Sequence, residues 1–239
     1  MDRQADKEEL LDGPLDVATL DGNLRDLVRI NRWLGGVALS RKAVLALLRG
    51  HSGDTELLDV GTGAADIPDA LIASIGRPGR WLRITAVDTR PEILAAARRR
   101  VSAGPASLGL EMVAGERLPY PDRSFDIAHC SLVLHHTEPV DALRLMQEMA
   151  RVSRIGIVIN DLERSQLAWL GAWLLTRVAT RNAYTRHDAP LSVRRAYLPA
   201  EVAQLASRAG LVEVARYHDL LRHRFALAFV PTPRAAAGD

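Results

Sequence analysis

The chain has 239 residues, 48% of them hydrophobic and 25% charged, a globular balance that excludes a disordered polymer. Its 31 basic and 29 acidic residues leave a formal charge of +2, so net charge gives no nucleic-acid signal. A lone cysteine, Cys130, excludes an internal disulfide framework and a multi-cysteine zinc site, and suits a reducing cytoplasm. The polar, acidic N-terminus does not read as a secretory signal. The longest uncharged apolar run, "LAWLGAWLLT" (167–176), is about half of a bilayer span. The expectation is a cytoplasmic protein without stable membrane insertion.

Residues 1–20 read as a flexible tail. Residues 21–50 have helical spacing, with Leu24, Leu27, Ile30 and Leu34 followed by Val44, Leu45, Leu47 and Leu48. An alternation follows: strand 56–60, helix 64–76, strand 83–88, helix 90–102, strands 110–115 and 124–131, helix 139–152 and strand 155–161. Strand alternating with helix predicts a parallel sheet covered by helices on both faces, and the right-handed crossover rule makes it doubly wound. Beyond it come a long apolar helix (163–180), a polar basic loop (180–197), a helix (199–209) and two closing strands (211–218 and 224–230). The fold class is α/β: a mostly parallel, seven-stranded, Rossmann-like sheet with an antiparallel terminal strand. The whole chain reads as one domain, with helical lids at 21–50 and 163–197.

The glycine turn "LLDVGTGAAD" departs from a dinucleotide fingerprint. Gly61 and Gly63 fit, but the third glycine position holds Asp66. An acid there opposes a pyrophosphate at the same helix end, and Asp59 on the strand adds to the objection. A cationic or zwitterionic ligand removes the conflict.

This stretch resembles the first motif of class I S-adenosylmethionine-dependent methyltransferases, acid-x-Gly-x-Gly-x-Gly, with Ala65 at the third glycine. The segment "GERLPYPDRSFDIAHCSLVLHH" (115–136) resembles the family's acid, Leu-Pro, aromatic, proline and "SFD" run. The resemblance implies S-adenosylmethionine as cofactor. Asp59 would support its amino-acid end, and Gly61, Thr62 and Gly63 would admit the backbone. Asp88, ending the second strand, suits both ribose hydroxyls, and helix N-capping is an equal reading. Thr89, Gly115, Glu116 and Ser131 complete the cofactor set. The family's adenine-binding acid falls on Ala114, so adenine recognition must come from the backbone near Gly115 and Glu116 or from another side chain.

The acceptor should lie above strands four and five, among Cys130, Ser131, His135, His136, Asn160 and Asp161. His136 or His135 is the natural base for a phenol, and capping or pocket lining is the alternative. His187 is a further candidate base. Asn160, Asp161, Trp169 and Arg186 are candidate acceptor-binding residues, and no metal site is expected. Arg25, Asn31 and Trp33 of the N-terminal lid reach toward the cofactor, the acceptor or the packing. "INDLERS" with "TRHDAPLS" resembles a subgroup found near secondary-metabolite enzymes. The reading is O-methylation of a small, largely apolar, phenolic acceptor. Its alternative is C-methylation of a quinone, polyketide or isoprenoid. A nucleic-acid methyltransferase lacks its Asn/Asp-Pro-Pro-aromatic motif here, and a non-catalytic subunit is disfavoured by the intact first motif. Oligomeric state is left open.

Overall fold

The computed structural model describes residues 1–4, 7–76, 80–102, 104, 106–115 and 117–232. Seven strands form one sheet in the order β3-β2-β1-β4-β5-β7-β6. They are β1 (Thr55–Val60), β2 (Leu82–Asp88), β3 (Leu108–Met112), β4 (Phe125–Ser131), β5 (Ser153–Leu162), β6 (Leu211–His218) and β7 (Arg224–Pro231). Strands β1 to β5 pair in parallel, and β7 lies antiparallel between β5 and β6. The strand order reverses at β1, so a crevice opens beyond the carboxyl ends of β1 and β4, where doubly wound sheets bind ligands.

The strands bury both faces, hence the near-continuous apolar runs in β4 and β7 rather than an alternation. On one face Met146 and Met149 of α5 (Pro139–Val152) and Val202 and Leu205 of α8 (Pro199–Arg208) pack with Phe225, Leu227 and Phe229. On the other, Leu39 and Val44 of α2 (Gly36–Leu47) and Ile67 and Leu71 of α3 (Asp66–Ile75) pack on Leu57, Ile84 and Ile127. Helix α4 (Pro91–Arg98) follows β2.

Three expectations change. The helical stretch 21–50 is two helices, α1 (Val17–Trp33) and α2, separated at Gly35, which takes a left-handed φ of 86°. The segment 180–197 is not a loop. It forms α7 (Ala183–Arg195) behind α6 (Gln166–Ala179). Its polar composition hid the helix, because α7 buries Thr185, Asp188, Ser192 and Arg195 through hydrogen bonds rather than an apolar stripe. The stretch read as a tail is tied down. Leu10 and Leu11 donate their backbone N–H groups to the Asp188 carboxylate at 2.9 and 3.1 Å, and Gln4 N donates to Arg194 O. No helix among the described residues is long and apolar enough to cross a membrane.

Antiparallel insertion of β7 needs a bare backbone at Gly156, since a Cβ there would lie 2.1 Å from the Phe229 carbonyl oxygen and 3.2 Å from Leu47. Gly156→Ala should destabilise the protein by about 2 kcal/mol or more, read as a lower denaturant midpoint at constant slope. An unchanged midpoint would contradict this packing.

Candidate active site

The turn after β1 is built by Gly61, Thr62 and Gly63. Gly61 has φ 70°, and a Cβ there would meet Val133 at 2.4 Å. Gly61 N and Thr62 N both donate to Val87 O, and Gly63 N donates to the Asp88 carboxylate at 3.0 Å. Asp88 therefore holds the turn through Oδ2, while its Oδ1 accepts the Arg90 backbone N–H at 3.2 Å. Burial is the main reason its pKa is raised. The family's third glycine corresponds to a real backbone demand: Ala65 sits at φ 56°, a left-handed conformation that costs a non-glycine residue roughly 1 kcal/mol.

Asp59 is buried and does not stand alone. Asn160 Nδ2 donates to Ser40 Oγ (2.7 Å), and Ser40 Oγ lies 2.7 Å from His129 Nε2, so its hydroxyl donates there when His129 Nδ1 donates to Asp59 Oδ1 (2.5 Å). The carboxylate can only accept, which assigns this tautomer. From Asn160 the chain runs the other way. Its Oδ1 accepts from Arg224 Nε, Arg224 donates on to Asn31 Oδ1 and Ser131 Oγ, and Asn31 Nδ2 donates to Asp66. Arg224 is fully buried. Burial lowers its pKa to about 10 against the opposing pull of Asp161, Asp66 and Asp219, so it remains a cation at neutral pH. Desolvation raises the Asp66 carboxyl to about 6.

A second cluster lies past the ends of β4 and β5. Asp161 accepts from His135 Nδ1 (2.7 Å) and from its backbone N–H (3.1 Å). Burial opposes ionisation of Asp161, but His135 and the backbone donors outweigh it and keep the carboxyl below its usual range. His135 Nε2 then faces Glu9 at 3.8 Å, and His136 Nε2 faces it at 3.9 Å. The other nitrogen of His136 lies 3.1 Å from Asp12 Oδ1. Glu9 is buried, accepts from Ser192 Oγ, and is raised by burial to about 7. Arg195 clamps this end, donating to Asp12 and to the carbonyls of Lys7, His135 and His136. Arg90, at the end of β2, donates to the carbonyls of Leu11 and Gly13. The segment around the 3₁₀ turn Leu10–Asp12 thus reaches from the β2 end to His136. The ligand atoms of Glu9, His135 and His136 lie within 4.8 Å of one another, close enough to hold a metal ion, with Glu9–histidine separations of 3.8 and 3.9 Å. These separations exceed a hydrogen bond, so they leave room for one bridging oxygen.

Of the residues expected from sequence, Asp59, Gly61, Thr62, Gly63 and Asp88 come together at one turn, with exposed Thr89 beside them. Gly115 is exposed at φ 108°, and Glu116 lies outside the described residues. Ser131 accepts from Arg224. Asn160 has both amide ends committed inside the network, so it positions rather than binds, and Asp161 is committed to His135. His187 is half exposed, with Nδ1 2.8 Å from Asp188. Arg186 is exposed on α7. Trp169 lies under Arg194 and lines a groove of about 600 Å³ between the N-terminal residues Met1, Asp2 and Gln4 and α6. Trp33 and Arg25 are exposed. Cys130 is buried and its thiol is pushed up, which removes it as a nucleophile. Sequence reasoning missed Glu9, His129 and Arg224. The visible signals were one histidine inside the apolar strand "FDIAHCS" and one arginine heading "RFALAFV".

The strand order, the acid-tipped glycine turn and the acid ending β2 define the class I S-adenosylmethionine-dependent methyltransferase fold. Residues 57–156 match the family described as "Methyltransferase domain", and the chain has the fold of the S-adenosylmethionine-dependent methyltransferases. No curated protein matches the sequence. Solved structures with the same fold include a methyltransferase from Aquifex aeolicus (18% identity, TM-score 0.61, 91% of this chain and 100% of that one). Magnesium protoporphyrin IX methyltransferase of Synechocystis PCC 6803, with bound S-adenosylhomocysteine, is 12% identical at TM-score 0.59, covering 92% and 89%. Human N-acetylserotonin methyltransferase is 15% identical at TM-score 0.64, covering 91% of this chain and 57% of that one. The turn fits the cofactor on its own evidence too. Thr62 Oγ1 is buried without a partner among the described residues, and nothing lies within 4 Å of a Cβ built on Gly63.

Glu9 gives a pH test. Its folded pKa (about 7) lies above its unfolded value (4.5), so the folded state holds more protons between them and stability falls as pH rises through that window. The groups facing Glu9 are His135, His136, Asp12, Asp188 and Ser192. Relative to Glu9→Gln, the wild type should lose up to about 3 kcal/mol between pH 4.5 and 7 and then level off. A pH-independent difference in denaturation free energy would contradict the buried position of Glu9.

Proposed function

We propose that the enzyme methylates the hydroxyl oxygen of a small, largely apolar, phenolic acceptor, and that His135 takes the hydroxyl proton. One observation carries the reading: a buried carboxyl and two imidazole nitrogens face one another across gaps of 3.8 and 3.9 Å, beyond the ends of β4 and β5. An acceptor oxygen in that gap reaches His135 Nε2 and Glu9 together.

S-adenosylmethionine, when bound, supplies a methyl group carried on a cationic sulfur. Asp59, Gly61, Thr62 and Gly63 would hold its amino-acid end, and Asp88 with Thr89 would hold its ribose. Gly115 and the neighbouring backbone serve the adenine. Asp161 fixes His135 with Nδ1–H inward, which leaves Nε2 as the acceptor of the proton, and its charge stabilises the imidazolium that forms. His135 Nε2 would take up the O–H proton that the acceptor loses on methylation. Glu9 and His136 orient the hydroxyl, and Arg195 holds both histidine carbonyls. His187, through Asp188, holds the segment that carries Glu9. The small-molecule acceptors named for similarly folded proteins, magnesium protoporphyrin IX and N-acetylserotonin, are consistent with this class.

His135→Ala and Asp161→Asn should each lower kcat on a phenolic acceptor roughly a hundredfold or more, with S-adenosylhomocysteine affinity unchanged. Full turnover in both variants, or a product methylated on carbon, would sink the assignment. Asp88→Ala should weaken S-adenosylhomocysteine binding about tenfold or more in calorimetry, the loss of charge-assisted hydrogen bonds. Unchanged affinity would remove the ribose role.

A further inference from the structure

Helix α6 wears its apolar side outward. Leu167, Leu170, Leu174 and Val178 fall on one face at i, i+3, i+7 and i+11, and they are 82%, 45%, 49% and 88% exposed. Only Ala168 and Thr176 of this helix are buried, on the opposite side. An amphipathic helix of a globular fold does the reverse, so the stripe is not explained by packing on α7 or the sheet.

The segment that carries the stripe is basic in sequence, although Asp2 lines the groove beside Leu167 and Leu170. Between Glu163 and Asp188 the sequence contains no acid, while Arg177, Arg181 and Arg186 fall in this stretch. Arg177 lies over the Trp173 ring at 4.1 Å, and Arg194 over Trp169 at 4.5 Å. Leucines outward, Trp173 at the flank and Arg177 over its ring match the needs of a bilayer interface. Apolar side chains enter the acyl boundary there, indoles sit at headgroup depth, and guanidinium groups meet phosphates.

We propose that α6 docks the protein on an anionic lipid surface, lying in the interface plane without crossing it. A second copy of the chain fits less well: face-to-face α6 helices would oppose Arg177 and Arg181 with no acid in the stretch to pair them. A helix of 14 residues is about 21 Å long, a strip narrower than stable dimer interfaces use. The surface stands on observations separate from the acceptor assignment, so either can fail alone.

The test is flotation of the full chain with vesicles of phosphatidylcholine, alone or mixed with phosphatidylglycerol. Binding is expected to the mixed vesicles, weakening as salt rises. The double variant Leu170→Glu/Leu174→Glu should lose at least about tenfold in vesicle affinity while S-adenosylhomocysteine affinity, a check on folding, stays unchanged. Arg177→Glu/Arg181→Glu should lose the preference for phosphatidylglycerol. Three results would each overturn the proposal: no binding to either vesicle, full binding by the leucine variant, or a wild-type dimer in sedimentation that the leucine variant abolishes.

Discussion

The buried guanidinium of Arg224 is the constraint around which the cofactor end of the molecule is arranged. A cation without solvent must be hydrogen-bonded and faced by negative charge, or it costs several kcal/mol. Asn31, Ser131 and Asn160 supply the acceptors, and Asp66, Asp161 and Asp219 supply the field. These six partners come from five elements, α1, α3, β4, β5 and the β6–β7 turn, with Asn160 and Asp161 both on β5. The charge therefore fixes the N-terminal helix, the glycine turn and the antiparallel hairpin relative to one another. Through Asn160, Ser40 and His129 the same chain holds Asp59, so the carboxylate before the glycine turn is oriented from beneath by the protein itself.

A second consequence concerns the acceptor end. Asp161 faces Arg224 through the interior field and His135 through a direct hydrogen bond, so one buried carboxylate joins the two halves of the site. Glu9 lacks a close cation of its own and rests on a serine hydroxyl, which is why burial raises it toward neutrality. The N-terminal segment is held down by Asp188, Arg195 and Arg90, three side chains from two separate elements, and brings Glu9 over the histidines.

The sheet was readable because its strands are apolar runs punctuated by glycine and proline, and because period and order do not depend on long-range partners. Asp59, Asp88 and the turn were readable for the same local reason. Asp66 has a structural role as well. Its carboxylate is taken up by Asn31 and by the field of Arg224, so the acid anchors α1 as well as disfavouring a phosphate. What sequence could not show is pairing across distance. Asn160 looked like an acceptor-binding residue at a strand end, and only its three partners reveal it as a structural link. Glu9 lies 126 residues before His135, and nothing in its acidic surroundings distinguishes it from a solvated side chain. Helix α7 escaped detection because hydrogen-bonded polar residues, not a stripe, face the interior.

The central claim is that the acceptor oxygen sits in the gap between Glu9 and His135, in line with the methyl donor. A crystal structure with S-adenosylhomocysteine and a phenolic acceptor bound together tests it most directly. The account predicts the hydroxyl within hydrogen-bond reach of both His135 Nε2 and the Glu9 carboxyl, with the cofactor sulfur facing that oxygen. A hydroxyl lodged elsewhere, with Glu9 and His135 closed on each other, would contradict it.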